Sequence, residues 1–120
     1  MEAILWYLGR LIFGGFFLYN AYHHFANVQN MTAYAQSKGV PSPKAAVIAS
    51  GILLAVGGFC VLFDVYPTLG LIALVLFLLP VTVMVHAFWK IQDPMGRLGE
   101  RVQFGKNLAL LGAILIMLGR

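Results

Sequence analysis

Four long apolar stretches constrain this chain more than any other feature. They run over about residues 4–25, 45–63, 68–89 and 99–119. A helix needs roughly 20 apolar residues to cross about 30 Å of hydrocarbon. In lipid only helices and closed barrels satisfy every backbone polar group internally, and runs of this length are helical spans rather than barrel strands. The fold class predicted is therefore all-α: a four-transmembrane-helix bundle with up-down topology, forming a single membrane domain over residues 1–120. Charge agrees, since only 10% of the 120 residues are charged, against about 25% in soluble domains. The apolar part of the last stretch, Asn107 to Leu118, is short. It reaches spanning length only if the helix starts near Leu98, with Lys106 snorkelling outward.

Gly9, Gly14, Gly15, Gly51, Gly57, Gly58, Gly70 and Gly112 lie in or near the spans, as expected where helices approach closely in lipid. Pro80 is expected to kink the third span. The first connection, about residues 26–44, is polar and contains "GVPSP", which forbids a continuous helix. Ahead of it, "NVQNMTAYAQSKG" suits a short interfacial helix with Val28, Met31 and Tyr34 on one side. The second connection, "DVYPT", is a tight turn. The third, "KIQDPMGRLGERVQFGK", carries most of the charge.

Charge also sets orientation. Lys38, Lys44, Lys90, Arg97, Arg101 and Lys106 lie on or beside the first and third connections, whereas the other side has Arg120 and the embedded Arg10. The positive-inside rule places loops 26–44 and 90–106 in the cytoplasm and both termini outside. With Glu2 where a signal peptide has basic residues, the first stretch is expected to be retained as a span. The formal charge of +4 points to an anionic membrane surface rather than nucleic acid. The single cysteine, Cys60, excludes an intrachain disulfide, a CxxC redox motif and a cysteine zinc site.

Alternating spans bring the polar residues into two layers. Near the loop-side surface lie Asn20, His23 and His24 at the end of the first span, Ser50 in the second, His86 at the end of the third, and Lys106 with Asn107 at the start of the fourth. All three histidines thus share one membrane depth. His23 and His24 are about 100° apart on their helix, so one at most points to the bundle axis; His24 is the favoured one. Near the other surface lie Arg10 and Asp64, and Arg10 is expected to face inward and to pair with Asp64 or with carbonyls.

Five interpretations of the histidine layer stand open. It can be a set of interfacial polar ends binding nothing, in an aromatic belt with Tyr19, Tyr22 and Trp89. It can be a quinone-type headgroup site built from His24, His86, Asn107, His23, Asn20 and Lys106, because quinone carbonyls need such donors beside an apolar slot. It can hold haem b between His86 and His23 or His24. A metal site is disfavoured because adjacent histidines on one helix do not readily both ligate, and none is assigned. A proton relay lacks an intramembrane carboxylate. Nucleophilic catalysis has no supporting pattern around Ser37, Ser42, Ser50 or Cys60, and "GRLGERVQFGK" departs from the phosphate-loop motif because Asn107 follows Lys106. No catalytic residue is assigned, and no activity is expected of the chain on its own.

The stretches "LGRLIFGGFFLYNAYHHF", "YAQSKGVPSP", "HAFW" and "FGKNLALLGAIL" resemble the DoxX family of small bacterial and archaeal four-helix membrane proteins. The likeness covers nearly the whole chain. Its most specific part is F-x-K-N-x-A-L-x-G, here Phe104, Lys106, Asn107, Ala109, Leu110 and Gly112. Arg10, His24, His86 and Asn107 stand at the corresponding polar positions. The family is named for a membrane subunit of a thiosulfate:quinone oxidoreductase. The resemblance implies an accessory or anchor subunit of a larger membrane complex in the cytoplasmic membrane, helping to house quinone, with other membrane subunits or further copies of itself as partners. Where relatives carry an acidic residue in the second span, this chain has only Ser50. The alternative is a stand-alone binder or transporter of small molecules acting as a homo-oligomer.

Overall fold

The computed structural model describes residues 1–119; Arg120, counted above among the basic residues, lies outside the described residues. Five α-helices follow one another: α1 (Glu2–Ala26), α2 (Val28–Ser37), α3 (Pro43–Phe63), α4 (Pro67–Met84) and α5 (Pro94–Leu118), with a 3-10 turn at Phe88–Lys90. The protein is an all-α bundle. The long axis, 47 Å, exceeds the roughly 30 Å hydrocarbon core and reaches both headgroup layers. Four helical segments are long and apolar enough to span: α1, α3, α5 and the stretch Pro67–Lys90 that contains α4.

Proline opens three of these helices, at Pro43, Pro67 and Pro94. Its missing N–H is an orphan at the first helical position and its fixed φ is already helical. The start of α5 differs from expectation for this reason. Apolarity alone places it near residue 99, yet Asp93 caps the helix, its carboxylate accepting from Gly96 N at 2.8 Å, and Pro94 begins it five residues sooner. The third span differs as well. Its α-helix stops at Met84 rather than running to 89, and the chain bends at His86 before the 3-10 turn. That bend is held to α5 by an aromatic trio, with Phe88, Trp89 and Phe104 ring centroids 5.4 to 5.6 Å apart.

The helices pack in the order α1, α3, α4, α5. Two glycine crossings set the spacing. A Cβ on Gly58 would lie 2.9 Å from the Gly14 carbonyl and from Leu18 N, and one on Gly57 would lie 3.0 Å from the Gly70 carbonyl. Both faces of α3 therefore press on neighbouring backbone, as small residues permit. Phe17, Leu54, Leu74, Leu78 and Ile114 form the fully buried core. Asp64 and Tyr66 take left-handed conformations, at φ 56° and 47°, in the tight turn from α3 to α4.

The ring of helices does not close. Among the described residues no Cα of α1 comes within 8 Å of one in α5, so a seam runs between them. The helix α2 lies over the loop-side end of the bundle, with Ala35 buried.

Candidate functional site

A cavity of about 420 Å³ occupies the loop-side half of the bundle. Its deep end is apolar, lined by Phe17, Leu54, Phe77 and Leu78. Its other end carries His24, Tyr34, His86, Asn107 and Ser50. A second, shallower groove follows the α1–α5 seam toward the terminal side, along Gly9, Ile12 and Phe13. Cavity and groove share Phe16, Lys106 and Leu110, so they meet at the seam. Lys106 stands there with its Nζ 5.6 Å from the Phe16 ring centre.

Of the residues expected to gather, His24, His86, Asn107, Asn20 and Lys106 line this cavity. His23 does not. Its Nδ1 meets the Asn27 side chain at 3.2 Å and its ring packs edge-on against Tyr19 and Tyr22. The helical step between adjacent histidines leaves room for one inside, and His24 takes it, 8% exposed. His24 Nδ1 donates to the Asn20 carbonyl at 2.9 Å, one turn back, and its ring edges Phe77. Asn20 in turn donates from Nδ2 to the Phe16 carbonyl at 2.8 Å. Asn107 is 4% exposed. Among the described residues its side-chain amide has no hydrogen-bond partner. The residue is buried, but its amide borders the open space of the cavity.

The residue that sequence reasoning missed is Glu100. Its carboxylate accepts from the Tyr34 hydroxyl at 2.9 and 3.0 Å, lies 3.2 Å from His86 Nδ1, and pairs with Lys38 at 3.4 Å. It ties α2, the bend after α4 and α5 together behind the polar end of the cavity. This carboxylate lies where the charged loop 90–106 runs into the fourth span. The signal was present: Glu100, Gln103 and Asn107 are spaced by three and four residues, one face of a helix, but Glu100 sits in a charged run that hydropathy alone reads as solvated loop.

Burial and the adjacent Glu100 charge push the Tyr34 phenol up from its ordinary value, since both disfavour the phenolate. The folded state therefore holds this proton more tightly, and the stability it contributes is complete below about pH 10 and falls as pH rises beyond that. In a spectrophotometric titration, wild type minus Tyr34→Phe should show a phenolate signal well above pH ~10; a difference signal centred at 10 would contradict the contact with Glu100.

On the opposite side, Arg10 does not reach for Asp64. Its Nε donates to the Val61 carbonyl at 2.9 Å and its Nη2 to the Leu62 carbonyl at 2.8 Å. These are among the last carbonyls of α3, which have no partner within the helix and sit at the negative end of its dipole. Asp64 is the exposed cap residue beyond them.

Among the described residues no group of three His, Cys, Asp or Glu side chains is placed to hold a metal ion. Fold and site together define a small multi-pass helical membrane protein with a lateral cleft that is apolar along its length and polar at one end. A family model described as DoxX matches residues 5–87, more than half of the chain, and the protein belongs to the DoxX family. The match carries Arg10, His24 and His86; the "FGKNLALLGAIL" run with Asn107 lies beyond it. No curated protein matches, and no solved structure does.

Proposed function

We propose that this protein is a membrane subunit that binds a quinone-type amphiphile in the α1–α5 cleft, as an accessory component of a larger membrane complex. The observation that carries this is the continuity of a tail-shaped groove with a cavity ending in imidazoles and the Asn107 amide, which makes no protein hydrogen bond among the described residues. A quinone has an apolar prenyl tail and a flat headgroup with polar atoms at opposite edges, and enters its sites from the bilayer. The groove along Gly9, Ile12 and Phe13 suits the tail. His24, His86 and Asn107 suit the headgroup, the apolar wall supplying contact area and the polar groups orientation. The group itself supplies the redox chemistry; the chain's part is to bind and orient it and to shield it from water.

A transport path is supported less well. Between the cavity and Arg10 the core residues Leu54, Leu74 and Ile114 are 0% exposed, and a sealed apolar layer opposes passage of a polar solute. The basic residues of the loops favour a cytoplasmic-membrane orientation with the cavity's polar end on the cytoplasmic side.

Tagged protein purified from native membranes in mild detergent tests the proposal. Its bound lipids and proteins should include a quinone near one per chain together with a larger partner, and Asn107→Leu should lose most of the quinone while still folding. Protein that purifies alone and free of quinone would refute the proposal, and a Soret band would replace it with haem.

A further inference from the structure

One cation in the cleft lacks a counter-charge. Lys106 sits midway along α5, and its Nζ lies 5.6 Å from the ring centre of Phe16 on α1. Phe16 is about 15 Å along the helix from the loop-side end of α1. The ammonium is therefore turned across the seam, within the depth of the hydrocarbon, rather than snorkelled to the loop-side surface. The chain has four carboxylate side chains, and each is placed elsewhere. Glu2 and Asp64 stand toward the opposite membrane surface. Asp93 caps α5. Glu100 is taken up by Tyr34, His86 and Lys38. Among the described residues Lys106 makes no salt bridge. A charge at this depth is costly and ordinarily marks a site with a partner; the aromatic face of Phe16 attracts it but does not neutralise it.

Lys106 lines both the tail groove and the polar cavity, so its ammonium stands where the tail and the headgroup of a bound amphiphile join. Gln103 and Asn107, on the same helix, also line the cavity and carry amide donors. Resting on the quinone-type site proposed above, we infer that the cleft takes an acidic quinone, one with a ring hydroxyl conjugated to a carbonyl, bound as its anion with the charge on Lys106. Such a hydroxyquinone is ionised at neutral pH and spreads its negative charge over two ring oxygens. An anionic oxygen takes a charge-assisted bond from an ammonium, shorter and about twice as strong as a neutral one, and the Asn107 amide has a proton to give the same anion. A plain quinone offers Lys106 only a neutral carbonyl and leaves the cation uncompensated.

The test is calorimetric titration of the purified protein, in neutral detergent at neutral pH, with an alkyl-tailed hydroxynaphthoquinone and with its methoxy analogue, which has the same ring and tail but no charge. The hydroxyquinone should bind about tenfold or more tightly, the range of a hydrogen bond to a charged group. Lys106→Gln keeps a donor and removes the charge, and should bring the ratio toward one by weakening the hydroxyquinone. Lys106→Arg keeps the charge and should keep the preference. A variant that was merely less stable would weaken both ligands and leave the ratio as it was. Equal affinities in wild type, or a preference that survives Lys106→Gln, would overturn this inference while leaving the site itself standing. A fatty-acid anion of the same tail length carries the charge without the ring and should bind less tightly than the hydroxyquinone; binding as tight would overturn the inference and the quinone-type reading together, as would binding of neither quinone.

Discussion

Gly58→Val should destabilise the bundle by about 3 kcal/mol or more, the upper range for overpacking a close contact. The added Cβ would lie 2.9 Å from two backbone atoms of α1, Gly14 O and Leu18 N. Backbone within a helix cannot step aside as a side chain can, so the helices must separate. Separation is severe here because α1 leans on α3 and, among the described residues, brings no Cα within 8 Å of one in α5. Gly15 provides the control, for a Cβ there meets nothing within 4 Å. Thermal unfolding in detergent should show Gly15→Ala at or above wild type, since alanine favours helix by up to about 1 kcal/mol over glycine, and Gly58→Val far below it. Equal melting of the two variants would mean that α1 and α3 do not cross at Gly14 and Gly58.

Arg10→Leu should cost about 2–6 kcal/mol, from two carbonyls left without partners at about 1–3 kcal/mol each. Val61, which carries one of them, is only 6% exposed, so water replaces the guanidinium poorly. Leucine also loses the rings of Trp6 and Tyr7, whose centres lie 5.7 and 5.6 Å from the guanidinium carbon and favour a cation there. Arg10→Lys should fall between, because a single ammonium does not reproduce the fork that spans two carbonyls. Asp64→Asn should be near neutral, since Arg10 is not paired with it. A large loss from Asp64→Asn with a small loss from Arg10→Leu would reverse this assignment. Arg10 lies one turn from Gly14, so combined changes at Arg10 and Gly58 should not add.

Much of the architecture was legible in the residues. The apolar stretches locate the spans, and their alternation alone brings His24 and His86 to one depth, where both line the cavity. Details decided by packing were not legible. Adjacent histidines on a helix are equivalent until a neighbouring helix selects one, and α3 and α4 select His24. Arg10 had two kinds of acceptor within plausible reach, and the left-handed cap at Asp64 turns the chain so that the carbonyls, not the carboxylate, meet it. Glu100 was overlooked because the charged run from Lys90 to Lys106 looks like a solvated loop when only hydropathy is weighed. The pair Asp93-Pro94, an N-cap followed by a first-turn proline, marks the helix start that carries Glu100 to the same face as Asn107.

The cleft between α1 and α5 is the centre of this account, and photolabelling examines it most directly. Protein in native membranes would be irradiated with an azido-quinone carrying a prenyl tail, then digested and mapped by mass spectrometry. Labels should fall on α1 between Gly9 and Asn20 and on α5 between Gln103 and Leu110, and excess unmodified hydroquinone should suppress them. Labels spread over the outer faces of α3 and α4, undiminished by competitor, would show that the amphiphile merely dissolves around the bundle and that the cleft holds nothing.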